Sequence, residues 1–284
     1  MTTSTFRGST ARKTARRVAS HLVLMAGALF FIFPLVFLIS TSLKSSRQMA
    51  KWPPELIPDP WIWRNYVDVF LYAPMHKYLL NTIRIVIPSL FGAMVTSSLA
   101  AYAFARMQAP GRDLLFLILL STMMLPGVVT LIPTYIIFSK IGWIGTFRPL
   151  VVPTLAGSPF FIFLMRQFFM TIPMDLEDAA LIDGCGRFRI WISIMMPLAT
   201  PALATVSVFA FMGAWNDYMR PLIYLSNKMQ YTLSLGLQVF VRDHGSEWGM
   251  LMAASTMMIA PVIVIFFFAQ KSFIQGITMT GIKG

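Results

Sequence analysis

The chain has 284 residues, of which 57% are hydrophobic and 12% charged, and its formal net charge is +12. A soluble domain carries about 25% charged residues, so this chain has too few polar side chains to cover a globular surface, and lipid is the solvent that suits it. The basic residues lie in short segments between long apolar runs, which makes their excess a matter of membrane topology and argues against a nucleic-acid partner.

Residues 1–18 hold Arg7, Arg12, Lys13, Arg16 and Arg17 and no acid. They predict a cytosolic basic tail ahead of a transmembrane domain over 19–284. The first apolar run extends from His21 to Leu43. It is longer than the core of a secretory signal and lacks an A-x-A exit, so it reads as an uncleaved first helix. Five more runs follow, at 78–104, 114–138, 148–170, 199–223 and 250–272. Each is long enough to cross ~30 Å of hydrocarbon at ~1.5 Å per residue. The fold class predicted is all-α, a polytopic bundle of about six transmembrane helices. The acid-free cluster beside the first helix places the N-terminus in the cytosol, and an even number of spans places the C-terminus there too. Pro34, Pro88, Pro126, Pro133, Pro153, Pro159, Pro201 and Pro261 fall in these runs. Neighbouring helices can satisfy the carbonyls that proline frees, so the runs read as kinked helices.

Residues 44–77 form the first outer loop, with Trp52, Trp61, Trp63, Tyr66 and Tyr72. Aromatic rings favour the headgroup layer, so the loop lies on the outer membrane surface or meets an external protein. In the second run Ala93, Ser97, Ala101 and Ala105 recur every four residues, a face on which another helix can approach closely. Arg84, beside Asn81 and Thr82, either snorkels to the interface or lines a solute path. Asn216 and Asp217, near the end of the fifth run, either line a solute path or form a local pair with Arg220.

Other chemistries find no support. There is one cysteine, Cys185, and the three histidines are far apart, with no HExxH or CxxC spacing, so no structural zinc is expected. No GxxxxGK[ST] loop is present, so ATP hydrolysis by the P-loop route belongs to another chain. No run carries an acid at its middle, which counts against an ion-coupled carrier. No catalytic constellation and no cofactor motif are found.

Residues 171–198 are too polar to cross the membrane and make the longest inner loop. They predict a short helix over Leu176–Asp183, with Asp175 as its N-cap and Glu177 and Asp178 in the first turn, where the helix dipole favours acids. Gly184 fits the left-handed position past the end. Leu176, Ala179, Ala180 and Leu181 make an apolar face. An isolated helix shorter than about 12 residues is marginal in water, so this one needs a groove, which another protein could supply.

The loop resembles the EAA signature of ABC importer permeases. Asp178-Ala179-Ala180 is followed after three residues by Gly184, and after nine more by Ile194-Met195-Met196-Pro197. Asp178 stands for the usual glutamate and Met196 for the usual leucine. Trp215-Asn216-Asp217-Tyr218, Pro221-Leu222 and the terminal Gly281-Ile282-Lys283-Gly284 resemble the maltose-type branch, and the family-like core covers about 78–272. The resemblance implies a type I ABC importer permease fold in a bacterial or archaeal cytoplasmic (inner) membrane. It implies a permease domain over 19–284 that forms half of the pathway for a sugar or sugar-like solute. Its implied partners are a second homologous permease, two copies of a cytosolic ABC ATPase and an extracytoplasmic solute-binding protein. The loop helix would be the coupling helix, with Glu177, Asp178, Ala179, Ala180, Asp183, Gly184, Gly186 and Pro197 serving coupling to the ATPase. Asn216, Asp217 and Arg84 are the candidate solute-path residues. The solute stays open between a disaccharide, an oligosaccharide and glycerol phosphate.

Overall fold

A computed structural model describes residues 6–241 and 247–281. The described residues form helices and turns, with no strand among them. Of the terminal likeness, Ile282, Lys283 and Gly284 lie outside the described residues. The chain divides into two units, and each is taken by itself.

The first unit holds the described parts of Met1–Tyr72 and of Phe240–Met257. Its long helix, Phe6–Ser42, starts inside the basic segment rather than after it. Ala11, Arg12, Lys13, Ala15, Arg16 and Arg17 are good helix formers, so the apolar helix extends back through them. The stretch Thr14–Ser42 has a mean hydropathy of 2.8 and is not buried within the chain, as suits a helix whose sides face lipid or another subunit. Its end is closed by the loop that follows, 44–77. The Asn65 side-chain amide donates to the Ser42 and Lys44 carbonyls at 2.8 and 3.1 Å. These are carbonyls that the helix end leaves without an internal partner.

The loop itself is organised by Gln48, a buried polar side chain. Its amide donates to Glu55 at 2.7 Å and to the Ile57 carbonyl at 2.9 Å, and its oxygen accepts from the Asp59 amide at 3.1 Å. Burial holds the Lys44 ammonium below its usual range, opposed by the Glu55 carboxylate. Trp52, Trp61 and Trp63 are exposed, and the last two stack with ring centroids 6.1 Å apart. Short helices at Ser46–Met49 and Arg64–Tyr72 complete the loop.

The second unit, the described parts of Ala73–Val239 and Met258–Gly284, is built on one central helix, Met75–Arg106. It starts three residues before the expected run. Helices Pro159–Thr171 and Thr200–Trp215 pack against it. The small residues sit where these neighbours come closest: Ala93, Ser97 and Ala101 are buried. Gly92 marks the tightest approach. A Cβ there would stand 3.2 Å from the Leu155 Cα, in the turn Val152–Ala156. Around the lower part of the central helix, Tyr102, Ile162, Met165, Phe169, Ile190, Met195 and Val206 form one apolar core.

The prolines divide into two groups. Pro34, Pro88, Pro133 and Pro261 lie inside helices. Pro126, Pro153, Pro159 and Pro201 stand at helix starts, where a missing N–H costs nothing. The bend at Pro126 interrupts the expected run 114–138, and the bend before Pro201 falls where the sequence predicted the loop 171–198 to end. Arg112–Met124 and Gly127–Lys140 meet at 98°, and Arg187–Leu198 and Thr200–Trp215 meet at 82°. Leu125, before Pro126, has ψ 118°, the extended backbone that a following proline imposes. The expected run 199–223 also ends early. Its helix stops at Trp215, and Met219–Tyr224 is a separate helix. Among the described residues four helices are long and apolar enough to cross a membrane, or up to six if each bent pair counts as one span.

The close approach at Gly92 is testable. Gly92→Val forces a branched side chain into Leu155, an overpacking that costs about 1–3 kcal/mol. Thermal unfolding in detergent should show a lowered transition for Gly92→Val. Gly127→Val, with open space around its Cβ, should show no such loss.

Candidate functional site

The loop helix spans Asp175–Ile182. Its stop is a Schellman motif. The Cys185 amide donates to the Ala180 carbonyl at 2.9 Å, and the Gly184 amide donates to the Leu181 carbonyl at 3.0 Å. Gly184 has φ +79°, the left-handed conformation that side chains with a Cβ resist. Its start differs from the expectation. Met174 occupies the N-cap position without a side-chain cap, and Asp175 is already in the helix. The N-cap assignment of Asp175 is therefore corrected. Three acids, Asp175, Glu177 and Asp178, fall in the first turn and complement the dipole in place of a cap.

The predicted apolar face, Leu176, Ala179, Ala180 and Leu181, is turned outward except for Ala180. Only Glu177 and Ala180 are buried in this helix. Leu176, Asp178, Ala179, Leu181, Ile182 and Asp183 are exposed, and Ile182 is 86% exposed. The helix rests on the unit along one narrow edge and turns the rest outward. The acid on the inner edge holds it. The Glu177 Oε1 accepts from the Tyr102 hydroxyl at 2.9 Å and from Arg187 Nη1. Its Oε2 stands 3.9 Å from Arg106 Nε. Arg106 is itself buried at the end of the central helix. It donates to the Phe169 carbonyl at 2.6 Å and to the Ile172 carbonyl, and lies against the Met174 sulfur.

The remaining motif residues are dispersed. Gly186 is the N-cap residue of the helix Arg187–Ile190. Pro197 is exposed and lies beyond a π-helical stretch, Trp191–Met195. Its ring cannot tolerate the carbonyl four residues back in a regular α-helix, and a wider turn accommodates it. Gly186 and Pro197 thus shape the backbone after the loop helix, and neither belongs to its exposed face.

Higher on the central helix is a cavity of about 370 Å³. Ser89 and Ala93 line it from the central helix, Phe209 and Gly213 from Thr200–Trp215, and Gly157 and Ser158 from a helix break. The break separates the turn Val152–Ala156 from Pro159–Thr171. Gly157 has φ +83°, and a Cβ there would stand 3.2 Å from Thr96 Oγ1. The Ser158 amide donates to Ser97 Oγ at 3.3 Å, so the break is fixed to the central helix. The Ser89 hydroxyl is buried without a hydrogen-bond partner among the described residues.

The candidate solute-path residues fare differently. Asp217 forms the local pair with Arg220, Oδ2 to Nε at 2.6 Å. It is Arg220 that lines the cavity. Asn216 is exposed and donates to the Met212 carbonyl at 3.1 Å. Arg84 is exposed. Its neighbours Asn81 and Thr82 instead bind the 229–233 segment: Asn81 donates to the Met229 and Tyr231 carbonyls, and Thr82 accepts from the Leu233 amide at 2.8 Å. Among the described residues no cluster of His, Cys, Asp or Glu could hold a metal ion.

The chain is similar to known proteins over most of its length. The model of the family "Binding-protein-dependent transport system inner membrane component" matches residues 93–279. The arabinooligosaccharides transport system permease protein AraQ of Bacillus subtilis (strain 168) is 33% identical over 94% of this chain and 96% of its own length. The inner membrane ABC transporter permease protein YcjP of Escherichia coli (strain K12) is 30% identical over 97% of this chain and 100% of its own length. Among solved structures, a bacterial ABC transporter involved in the import of the acidic polysaccharide alginate matches with a TM-score of 0.82 at 23% identity, covering 92% of this chain and 98% of that one. A bacterial alginate ABC transporter in complex with alginate pentasaccharide-bound periplasmic protein matches with a TM-score of 0.65 at 16% identity, over 90% and 94%.

The Schellman stop generates a local prediction. Gly184 has open space around its Cβ, so only its φ opposes substitution. Gly184→Val should weaken the stop by about 1–2 kcal/mol, read as faster hydrogen exchange at the Gly184 and Cys185 positions. Gly184→Asn, which tolerates that φ, should change exchange less.

Proposed function

This chain belongs to the binding-protein-dependent transport system inner membrane component family, and on that premise we propose that its loop helix docks on a cytosolic ATPase and that its cavity lies on the path of a sugar-like solute. The chain is a multi-pass membrane transport subunit, a permease of an ABC importer, and the ATPase is a separate chain. The observation that carries the coupling reading is the orientation of Asp175–Ile182. Leu176, Leu181 and Ile182 are exposed beside Asp175, Asp178 and Asp183, while one edge is fixed from within by Glu177. A short helix presented in this way offers apolar anchors ringed by acids, a pattern suited to a groove with basic rims. The N- and C-termini are then cytosolic, on the same side as the loop. The membrane is a bacterial cytoplasmic membrane, as the relative from E. coli supports.

A second permease, two ATPase copies and an extracytoplasmic binding protein complete the assembly. The exposed sides of Thr14–Ser42 leave room for the second permease. The complex of a structural neighbour with a periplasmic protein supports the binding protein. An arabinooligosaccharide relative favours a short oligosaccharide as solute. The cavity suits that class: aromatic Phe161 and Phe209 stand near the Ser89 hydroxyl and Arg220, a mostly apolar wall with few polar groups. ATP can drive the cycle only through contacts that differ between the two ATPase states.

Co-purification tests the coupling assignment. The wild-type chain should hold its ATPase in detergent. Ile182→Lys removes an anchor that touches little in its own chain, and should lower ATPase affinity by about tenfold or more, which is ~1.4 kcal/mol. Undiminished association would rule out this face as the docking surface. For the cavity, Gly213 has open space around its Cβ, so Gly213→Leu should fill the cavity and lower uptake of a labelled oligosaccharide while the ATPase stays bound. Unchanged uptake would remove the cavity from the path.

A further inference from the structure

We propose that Glu177 is a positioning residue for coupling, a buried carboxylate that transmits displacement of the loop helix into the central helix and touches no other chain. The inference rests on the reading that the loop helix docks on an ATPase.

The carboxylate is 1% exposed, so a docked protein cannot reach it. Its partners come from two other helices. Tyr102 and Arg106 belong to the central helix, and Arg187 belongs to the helix that follows the loop. Arg106 extends the connection. Through the Phe169 and Ile172 carbonyls it holds the end of Pro159–Thr171 as well. Three segments therefore meet at one ion cluster beneath a helix of eight residues. Apolar contacts slide under load, because they have no preferred direction. Charge-assisted hydrogen bonds in a dry site do have one.

One feature of the cluster is unfinished. Arg106 Nε and Glu177 Oε2 are both buried, and neither has a hydrogen-bond partner among the described residues. They face each other at 3.9 Å. A charged hydrogen bond between these groups would be about 2.8 Å long. A shift of about 1 Å between these two groups, with the carboxylate pivoting about its Tyr102 bond, would thus complete a bond that is open in this arrangement. Load on the exposed face reaches the pair through Glu177, which lies on the opposite edge. The central helix then carries the displacement upward. Ser89, on the cavity wall, lies 17 residues before Arg106, about 25 Å along the axis.

The test uses the full complex in nanodiscs, with the ATPase, the second permease and the cognate binding protein as purified. Two quantities are read per assembled complex: ATPase bound, and the ratio of binding-protein-stimulated to basal ATP hydrolysis. Glu177→Gln should keep the ATPase bound, because the exposed face is intact, but lower the stimulation ratio by about tenfold. Arg187→Lys, which keeps the charge, should retain most of the ratio. Tyr102→Phe removes one hydrogen bond and little volume, so it reports even if Glu177→Gln assembles poorly; it should lower the ratio by about two- to fivefold. Two results overturn the proposal. In one, both variants assemble less but keep the wild-type ratio per complex, which makes Glu177 merely structural. In the other, Glu177→Gln loses the ATPase as Ile182→Lys does, which puts Glu177 in the docking surface. Failure of the wild-type chain to hold an ATPase at all would instead refute the coupling reading beneath it.

Discussion

A carboxylate removed from water must be paired, and in this chain that requirement decides how the loop 171–198 is held. Isolated, a buried Glu177 would cost several kcal/mol, and so would a buried Arg106. Together with Tyr102 and Arg187 they offset each other. The pairing fixes which edge of Asp175–Ile182 faces inward. Every other residue of that helix except Ala180 is then left outward. A helix of this length would not persist alone. Its stability comes from the ion cluster below, the Schellman stop at Gly184 and the acids in its first turn.

The same accounting of polar groups explains the broken helices. Within a membrane, non-helical backbone survives only where protein or a cavity satisfies it. The Gly157–Ser158 break meets that condition through Ser97 and stands beside the cavity. The helix end at Trp215 meets it through Asn216, whose side chain returns to the Met212 carbonyl. The bend at Leu125–Pro126 lies among exposed residues, so a neighbouring subunit or the interface must complete its surroundings. The central helix, by contrast, carries Pro88 without a break, and its small residues let two helices approach closely around it.

Sequence reasoning succeeded where the signal was local. Four of the six apolar runs, the small-residue face at Ala93, Ser97 and Ala101, and the glycine stop at Gly184 are each written within a few turns of chain. The motif spacing from Asp178 to Pro197 was enough to identify the family. Tertiary facts were not legible. Glu177 and Asp178 are adjacent acids in one first turn, and nothing in the sequence tells which is buried. That is decided by Tyr102 and Arg106, about seventy residues earlier. A basic residue closing a long apolar run, as Arg106 does, was the available signal, but it usually marks an interface anchor. The Asp217–Arg220 pair was foreseen as one of two readings because its partners are three residues apart. Proline, too, is ambiguous in one dimension: Pro88 and Pro126 both follow apolar residues, yet one continues a helix and the other starts a new one.

Placement of the two features on one rigid element is what connects them. The central helix has the ion cluster at its end, at Tyr102 and Arg106, and the cavity wall at Ser89 and Ala93. A continuous helix packed on both sides resists bending, because its neighbours fill the space at crystal-like density. Displacement at one end must then appear at the other as translation or rotation of the whole rod. The opposing wall contains the Gly157 break, which Ser97 holds in register with the central helix. On the coupling reading proposed above, a chain with no ATP-binding loop of its own takes work from a partner through this helix.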